Sequence, residues 1–221
     1  MSNKLKALGL SLLASMAVSA VVVMNAVANG EGHFVSEEAH TVIKGTEGPG
    51  ENHRHHFIDE DFPDSKIGCS TVSYLGTTDK VKVTEVVIAP AYSNCSTTGA
   101  ENLTVSVNGC TYKFTAAKNT NDNTEQTVHL ICPVGKKIEI KHPSCTISVH
   151  PQTINTGITY THKTNANGKT EITLDTHATF SITRHGLCQF VVPTNGFGEL
   201  VGSATVQGFH KEGAQRSITA T

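Results

Sequence analysis

Charge, tryptophan and helical periodicity are all scarce in this sequence. Only 16% of its 221 residues are charged and 38% are hydrophobic, a balance too uncharged for a disordered chain. The formal net charge is -2, so the basic surface that a nucleic-acid-binding protein needs is missing. Tryptophan is absent and aromatics reach 5%. No amphipathic helix of any length appears after residue 28, and no second apolar run long enough to span a bilayer follows it. G-x-S-x-G, H-E-x-x-H, P-loop and dinucleotide fingerprints are missing too, which argues against phosphoryl and hydride transfer.

What is present suits pleated strands. Threonine occurs 29 times, and a chain rich in Thr and Val but poor in Leu favours β structure over helices. Lys4 and Lys6 precede a mainly apolar run from Ala7 to Met24, and Ala26-Val27-Ala28 follows. A short positive start, an apolar middle and an A-x-A end predict a secretory signal over residues 1–28, cleaved after Ala28. The alternative is a retained membrane anchor, but Ser11, Ser15, Ser19 and Asn25 dilute the run. After cleavage 15 basic and 19 acidic residues remain, a net of -4.

That charge is uneven. Residues 29–64 hold nine acids against Lys44 and Arg54, a net of -7, which leaves +3 for the rest. Gly45, Gly48 and Gly50 and few large apolar residues make this stretch look like an acidic, solvated arm. One edge strand is expected in it, at Thr41–Lys44.

Six cysteines, at 69, 95, 110, 132, 145 and 188, imply three disulfides in an exported protein. No pair shows C-x-x-C spacing, so structural bridges are favoured over a zinc or catalytic site. Asn108-Gly109 between alternating runs predicts a type I′ hairpin that sets Leu103 opposite Phe114 and Val105 opposite Tyr112. Pairing Cys110 with Cys132 sets Tyr112 against Leu130 and Phe114 against Val128, all on one face; a one-residue slip would turn Val128 and Leu130 outward. Cys69–Cys95 and Cys145–Cys188 follow by proximity and elimination. A further hairpin around His142-Pro143-Ser144 sets Ile140 against Cys145 and Ile138 against Ile147.

Other strands are expected at 68–75, 80–88, 158–162, 171–175, 178–183, 188–192, 199–206 and 216–220. Around Asn167-Gly168 a two-residue loop would oppose Tyr160 to Asp175, so a longer turn is predicted. The fold class is therefore all-β: an antiparallel β-sandwich or two stacked small β units, over residues 65–221, with three disulfides and the acidic N-terminal arm. A division near His142 is one way to make two units.

Cys69…Tyr92-Ser-Asn-Cys95, Val107-Asn-Gly-Cys110-Thr-Tyr112-Lys-Phe114, Cys132-Pro-Val-Gly135, Cys145-Thr-Ile147-Ser-Val149-His-Pro151 and Gly202-Ser-Ala204-Thr-Val206-Gln-Gly208 together resemble a group of exported six-cysteine proteins predicted in large numbers in soil actinobacteria. The resemblance covers roughly residues 65–221 and implies an exported β-rich fold. It implies no activity and no site residues.

The most suggestive cluster is His53-Arg54-His55-His56, followed by Asp59, Glu60, Asp61 and Asp64. In an extended segment His53 and His55 share one side and His56 faces the other. Imidazoles there can begin a Zn²⁺ site and the aspartates a Ca²⁺ site, though each set lacks ligands a complete site needs. A solvated polar loop is the plain alternative. The expected function is a secreted, non-enzymatic protein of the cell exterior used for structure, adhesion or binding. Its expected partners are another copy, joined through the edge strand at Thr41–Lys44, or the cell envelope. A secreted hydrolase and a metal binder using His53, His55 and His56 are the alternatives.

Overall fold

The computed structural model describes residues 32–47, 55–59, 62–97, 100–116, 127–154, 157–188 and 196–221. Every regular element among them is a strand, and every pairing is antiparallel. The chain is thus an all-β, antiparallel protein held by three disulfides.

Four long strands carry the architecture: β4 (Phe62–Thr78), β6 (Glu85–Thr97), β14 (Thr170–Gly186) and β15 (Phe197–Phe209). β4 pairs with β6, and β14 with β15. Period-two patterning makes them long: Ile172, Leu174, Thr176, Ala178, Phe180 and Ile182 of β14 all point inward and are buried, while the alternate residues Thr173, Asp175, His177, Thr179 and Ser181 face out. The expected strands at 171–175 and 178–183 are therefore one, joined through buried Thr176.

Along each long strand different short strands pair with its two halves, so the sheet divides into two stacked units. In the first, β3 (His56–Asp59) bridges β15 and β4. β7 (Ala100–Ser106), β10 (Ile138–His142) and β11 (Cys145–Val149) run from β6 round to the end of β14. These pairings close into a ring of eight strands. In the second unit, β2 (Thr41–Glu47) lies between β15 and β4. β8 (Thr111–Thr115), β9 (Thr127–Ile131) and β12 (Gln152–Ile154) extend from β6. β13 (Ile158–Thr164) flanks β14. A three-stranded cap, β5 (Lys82–Val83), β1 (Phe34–Ser36) and β17 (Ile218–Ala220), packs on this unit, and β16 (Gln215–Arg216) closes the end of β15. One continuous apolar core runs through both units. Neither unit is a stretch of sequence ending near His142, the last residue of β10, because β4, β6, β14 and β15 contribute to both.

Several expectations need correction. The turn at Asn108-Gly109 has positive φ at both residues, 51° and 79°, and Cys110 N–H donates to Val107 O at 2.8 Å, as a type I′ turn requires. Its flanking strands do not pair with each other. Cys95 lies opposite both Cys69 and Leu103, and Ile88 opposite both Gly76 and Tyr112. So β7 and β8 lie end to end along the same edge of β6 and part at the turn towards different units. A long neighbour offers each of them a full ladder, which leaves the hairpin nothing to add.

The β10–β11 hairpin has a shorter loop than expected: His142 faces Cys145, and Ile140 faces Ile147. The two registers differ by two residues and bury the same side chains, so alternation cannot separate them. Thr41–Lys44 is not at an edge, because β2 is paired on both sides, and strand exchange through it is not available. Residues 89–97, not expected as strand, complete β6 despite Pro90. Residues 89–93 pair with β4 alone, at the gap between β8 and β7, where a missing N–H is tolerated. Leu187 and Cys188 lie outside any strand, and 189–192 lie outside the described residues.

The disulfides staple neighbouring chains. Cys69 and Cys95 are directly opposite on β4 and β6, Cys110–Cys132 ties the ends of β8 and β9, and Cys145–Cys188 ties β11 to the chain leaving β14. The β8–β9 register is the one the cysteines and apolar residues require, with Tyr112 on Leu130 and Phe114 on Val128. Beyond β13 a five-residue turn, 165–169, sets Tyr160 opposite Leu174.

Candidate functional site

Between the two units lies a buried polar cluster. The sheet divides at three places, and at one of them β2 ends in Glu47 while β3 begins after His55. The Glu47 carboxylate accepts the His55 backbone N–H at 2.8 Å and lies 3.3 Å from His55 Nδ1, without the alignment of a hydrogen bond. Both side chains are nearly sealed, at 9% and 2% exposure. The His55 ring stands edge-on to Tyr74, with centroids 5.8 Å apart. Tyr74 in turn lies over Gly45, where a Cβ would sit 3.0 Å from the Tyr74 Cβ. That contact explains a glycine at an inward-facing strand position.

Tyr74, Tyr92 and Tyr112 reach this level from β4, β6 and β8. The hydroxyls of Tyr92 and Tyr112 are 3.1 Å apart, and Tyr74 also bonds to Tyr92. Burial raises all three phenols above the ordinary tyrosine range, Tyr74 and Tyr92 well above it. Near neutral pH they are therefore neutral hydrogen-bonding groups rather than bases. The cluster joins β2, β4, β6 and β8 where the two units meet. Its signal in the sequence was modest: all four tyrosines occupy inward strand positions, and nothing in their spacing singles out these three.

The sequence-predicted metal residues divide. His55 is the buried partner of Glu47. His56 pairs in β3 with Gly68 of β4 and Val201 of β15. Adjacent residues of an extended chain face opposite sides, so the two imidazoles diverge. His53, Glu60 and Asp61 lie outside the described residues, as do the side chains of Asp59 and Asp64. Among the described residues no group of three His, Cys, Asp or Glu side chains gathers as metal ligands.

Hydroxyl–imidazole pairs occur on the surface: His129 with Thr153 at 2.9 Å, His150 with Thr183 at 3.1 Å, and His142 with Ser144 at 3.1 Å. The first two are cross-strand contacts on exposed faces, and among the described residues no carboxylate bonds to either imidazole. A nucleophile needs that third group to orient its base.

Threonine serves the outer face. Thr161, Thr173, Thr205, Thr46 and Ser73 form one row across five strands, each opposite the next. Such cross-strand hydroxyl neighbours stabilise a sheet. Beside the cap, an open groove of about 980 Å³ is lined in part by Leu75, Lys80, Lys82, Glu85 and Val87; Leu75 and Val87 are 56% and 46% exposed.

Compared with models of protein families, with curated proteins and with solved structures, the chain matches none. Among the described residues no helix is long and apolar enough to cross a membrane. The three disulfides accord with an oxidising, extracellular setting.

Proposed function

We propose that this protein is a secreted, non-enzymatic component of the cell exterior, a covalently stapled β scaffold used for structure, adhesion or binding. The observation that carries this reading is that all six cysteines form disulfides and none is free. A cytosolic thiol pool would keep such residues reduced. The leader over residues 1–28 supports export, and so does the resemblance to exported six-cysteine proteins of soil actinobacteria. With β2 paired on both sides, contacts with an envelope partner fall to the faces and loops of the scaffold rather than to strand exchange.

Two measurements test the proposal. The producing cells are fractionated, and the protein in each fraction is alkylated without reductant and weighed. Export predicts a chain lacking residues 1–28, with no alkylated cysteine, in the medium or the envelope fraction. The purified protein is then incubated with intact cells and with isolated envelope, and screened against ester, glycoside and peptide substrates. Retention on cells without turnover supports the scaffold reading. A reduced cytosolic protein, or saturable hydrolysis of any substrate, overturns it.

A further inference from the structure

Where β7 and β8 part along β6, a groove of about 500 Å³ opens, lined by residues 92–96 of β6 and 103–105 of β7. β8 follows β6 at one end and β7 at the other, so residues 89–93 pair with β4 alone and have no strand on their second edge. The floor is held rigidly. Cys95 lies opposite both Cys69 and Leu103, and its disulfide to Cys69 is buried.

Polar side chains without protein partners gather here. Ser93, Asn94, Ser96 and Thr104 are all exposed, and none of their side chains bonds to another described residue. Asn94 has a left-handed backbone, with a φ of 51°, and falls out of the β4 ladder between Ser93 and Cys95. No lining residue is charged. Lys141, opposite Thr104 on β10, is itself paired with Glu139 at 2.9 Å.

That chemistry selects the ligand. A charged molecule would find no counter-charge, and a wholly apolar one would cover hydroxyls and an amide without pairing them. An added peptide strand fits poorly: the open run is short, Pro90 has no N–H to offer, and Asn94 leaves the ladder. A pyranose suits the groove better. Its rim of hydroxyls both donates and accepts, as do the three protein hydroxyls and the Asn94 amide. Its C–H face matches the apolar surface of Leu103 and Val105. The volume lies within the range of about 300–1,000 Å³ usual for small-molecule sites.

We propose that this groove binds a neutral saccharide of one or two rings, with its hydroxyls on Ser93, Asn94, Ser96 and Thr104. The assignment rests on the binding role proposed above and names its ligand class. It is tested on purified protein, which makes a failed site distinguishable from a failed export.

Maltose, cellobiose and diacetylchitobiose are titrated to their solubility limits and followed by the amide NMR signals of residues 92–96 and 103–105. At least one is expected to shift these signals saturably, with an affinity that added salt does not change. Asn94→Gly keeps the left-handed backbone, and Thr104→Val keeps the shape of the side chain. Each is expected to melt with the wild type and to bind about fivefold more weakly, the worth of one net hydrogen bond. Thr104→Ser, which restores the hydroxyl, and Thr161→Val, in the hydroxyl row of the second unit, are expected to bind as the wild type does. No saturable shift with any of the three sugars would overturn the site. Wild-type affinity in both Asn94→Gly and Thr104→Val would overturn the contacts assigned. A Thr-Val-Thr-Val-Thr peptide that shifts these signals where the sugars do not would make the groove a place of strand addition and sink the proposal too.

Discussion

Gln152 supplies with its side chain the ladder that Ser181 lacks: its Nε2 donates to the Ser181 carbonyl at 2.9 Å, and its Oε1 accepts the Ser181 N–H at 2.7 Å. On this edge of β14, β13 pairs up to Thr176 and β11 begins at Ile182. Ser181 falls in the gap between them, where the two units part. The amide thus imitates a strand residue and joins β12 to β14, completing the circuit of the second unit. Its second N–H donates to His150 O at 3.0 Å, which fixes the amide's orientation.

Gln152→Ala therefore loses both bonds, and since water reaches the site the expected cost is about 1–2 kcal/mol in a denaturant melt. Gln152→Glu is the sharper test. An ionised carboxylate still accepts the Ser181 N–H but faces the Ser181 carbonyl with no proton to offer. It should be less stable than the wild type at pH 7, and should close that gap as the pH falls below about 4 and the carboxyl gains a proton. A gap that does not change with pH would mean that the Ser181 carbonyl has no part in the join.

Such side-chain joins explain how far the fold could be read from sequence. The β8–β9 ladder was legible because Cys110, Tyr112 and Phe114 and their partners Cys132, Leu130 and Val128 all demand one register. The division of the sheet was not, because alternation says which face a residue takes and not which strand lies beside it. The strand at Thr41–Lys44 was legible, but its continuation to Glu47 and its place inside the sheet were not, because Gly45 reads as linker yet lies beneath Tyr74. Pro90 masked half of β6, because its missing N–H falls at a gap visible only in three dimensions. Of the candidate site, the histidines drew attention, yet His55 is taken up by Glu47 and Tyr74. The tyrosine cluster spans β4, β6 and β8 and has no sequence spacing to announce it.

Gly157 marks a second critical approach at the same gap. Its φ is +72°, its carbonyl accepts the His177 N–H at 2.6 Å, and a Cβ there would overlap the His177 carbonyl oxygen. Gly157→Ala must displace β14 backbone and is expected to cost at least about 3 kcal/mol. Gly168 is the control: its φ is +70° but nothing lies within 4 Å of the added carbon. Gly168→Ala should show only the left-handed backbone penalty, about 1–2 kcal/mol. Equal losses in the two variants, measured by urea titration, would refute the steric account.

Acid should loosen the rim of the cap. The Lys169 ammonium, followed by the Ser217 hydroxyl, bonds to Glu37 and lowers its pKa below the ordinary glutamate value. A carboxylate with a depressed folded pKa contributes stability above its unfolded pKa, and that contribution is lost as the pH falls through the folded value. Glu37 is more than a third exposed, so solvent screens the pair and the effect is small, under about 1 kcal/mol. Glu37→Gln is expected to melt slightly below the wild type at pH 7 and to converge with it below about pH 4, and added salt should narrow the difference at pH 7. A difference that persists at pH 2 would assign the loss to packing instead.

The three disulfides should differ in how readily they are reduced, and access sets the order. Cys69 and Cys95 are each 2% exposed and lie opposite one another inside the first unit, so a thiolate can reach them only after β4 and β6 separate. Cys132 and Cys188 are only partly buried and lie just outside strands. Their bridges present one sulfur to an attacking thiol without global unfolding. Under mild dithiothreitol, alkylation and mass mapping should find Cys110–Cys132 and Cys145–Cys188 opened while Cys69–Cys95 is intact. Stability follows a different rule, since a bridge acts largely by restricting the unfolded chain and longer loops gain more. Cys145–Cys188 closes a separation of 43 residues, against 26 for Cys69–Cys95. Replacing either pair by alanine should cost about 3–4 kcal/mol, slightly more for the longer loop. Early opening of Cys69–Cys95 in the folded protein would contradict the placement of that pair in the core.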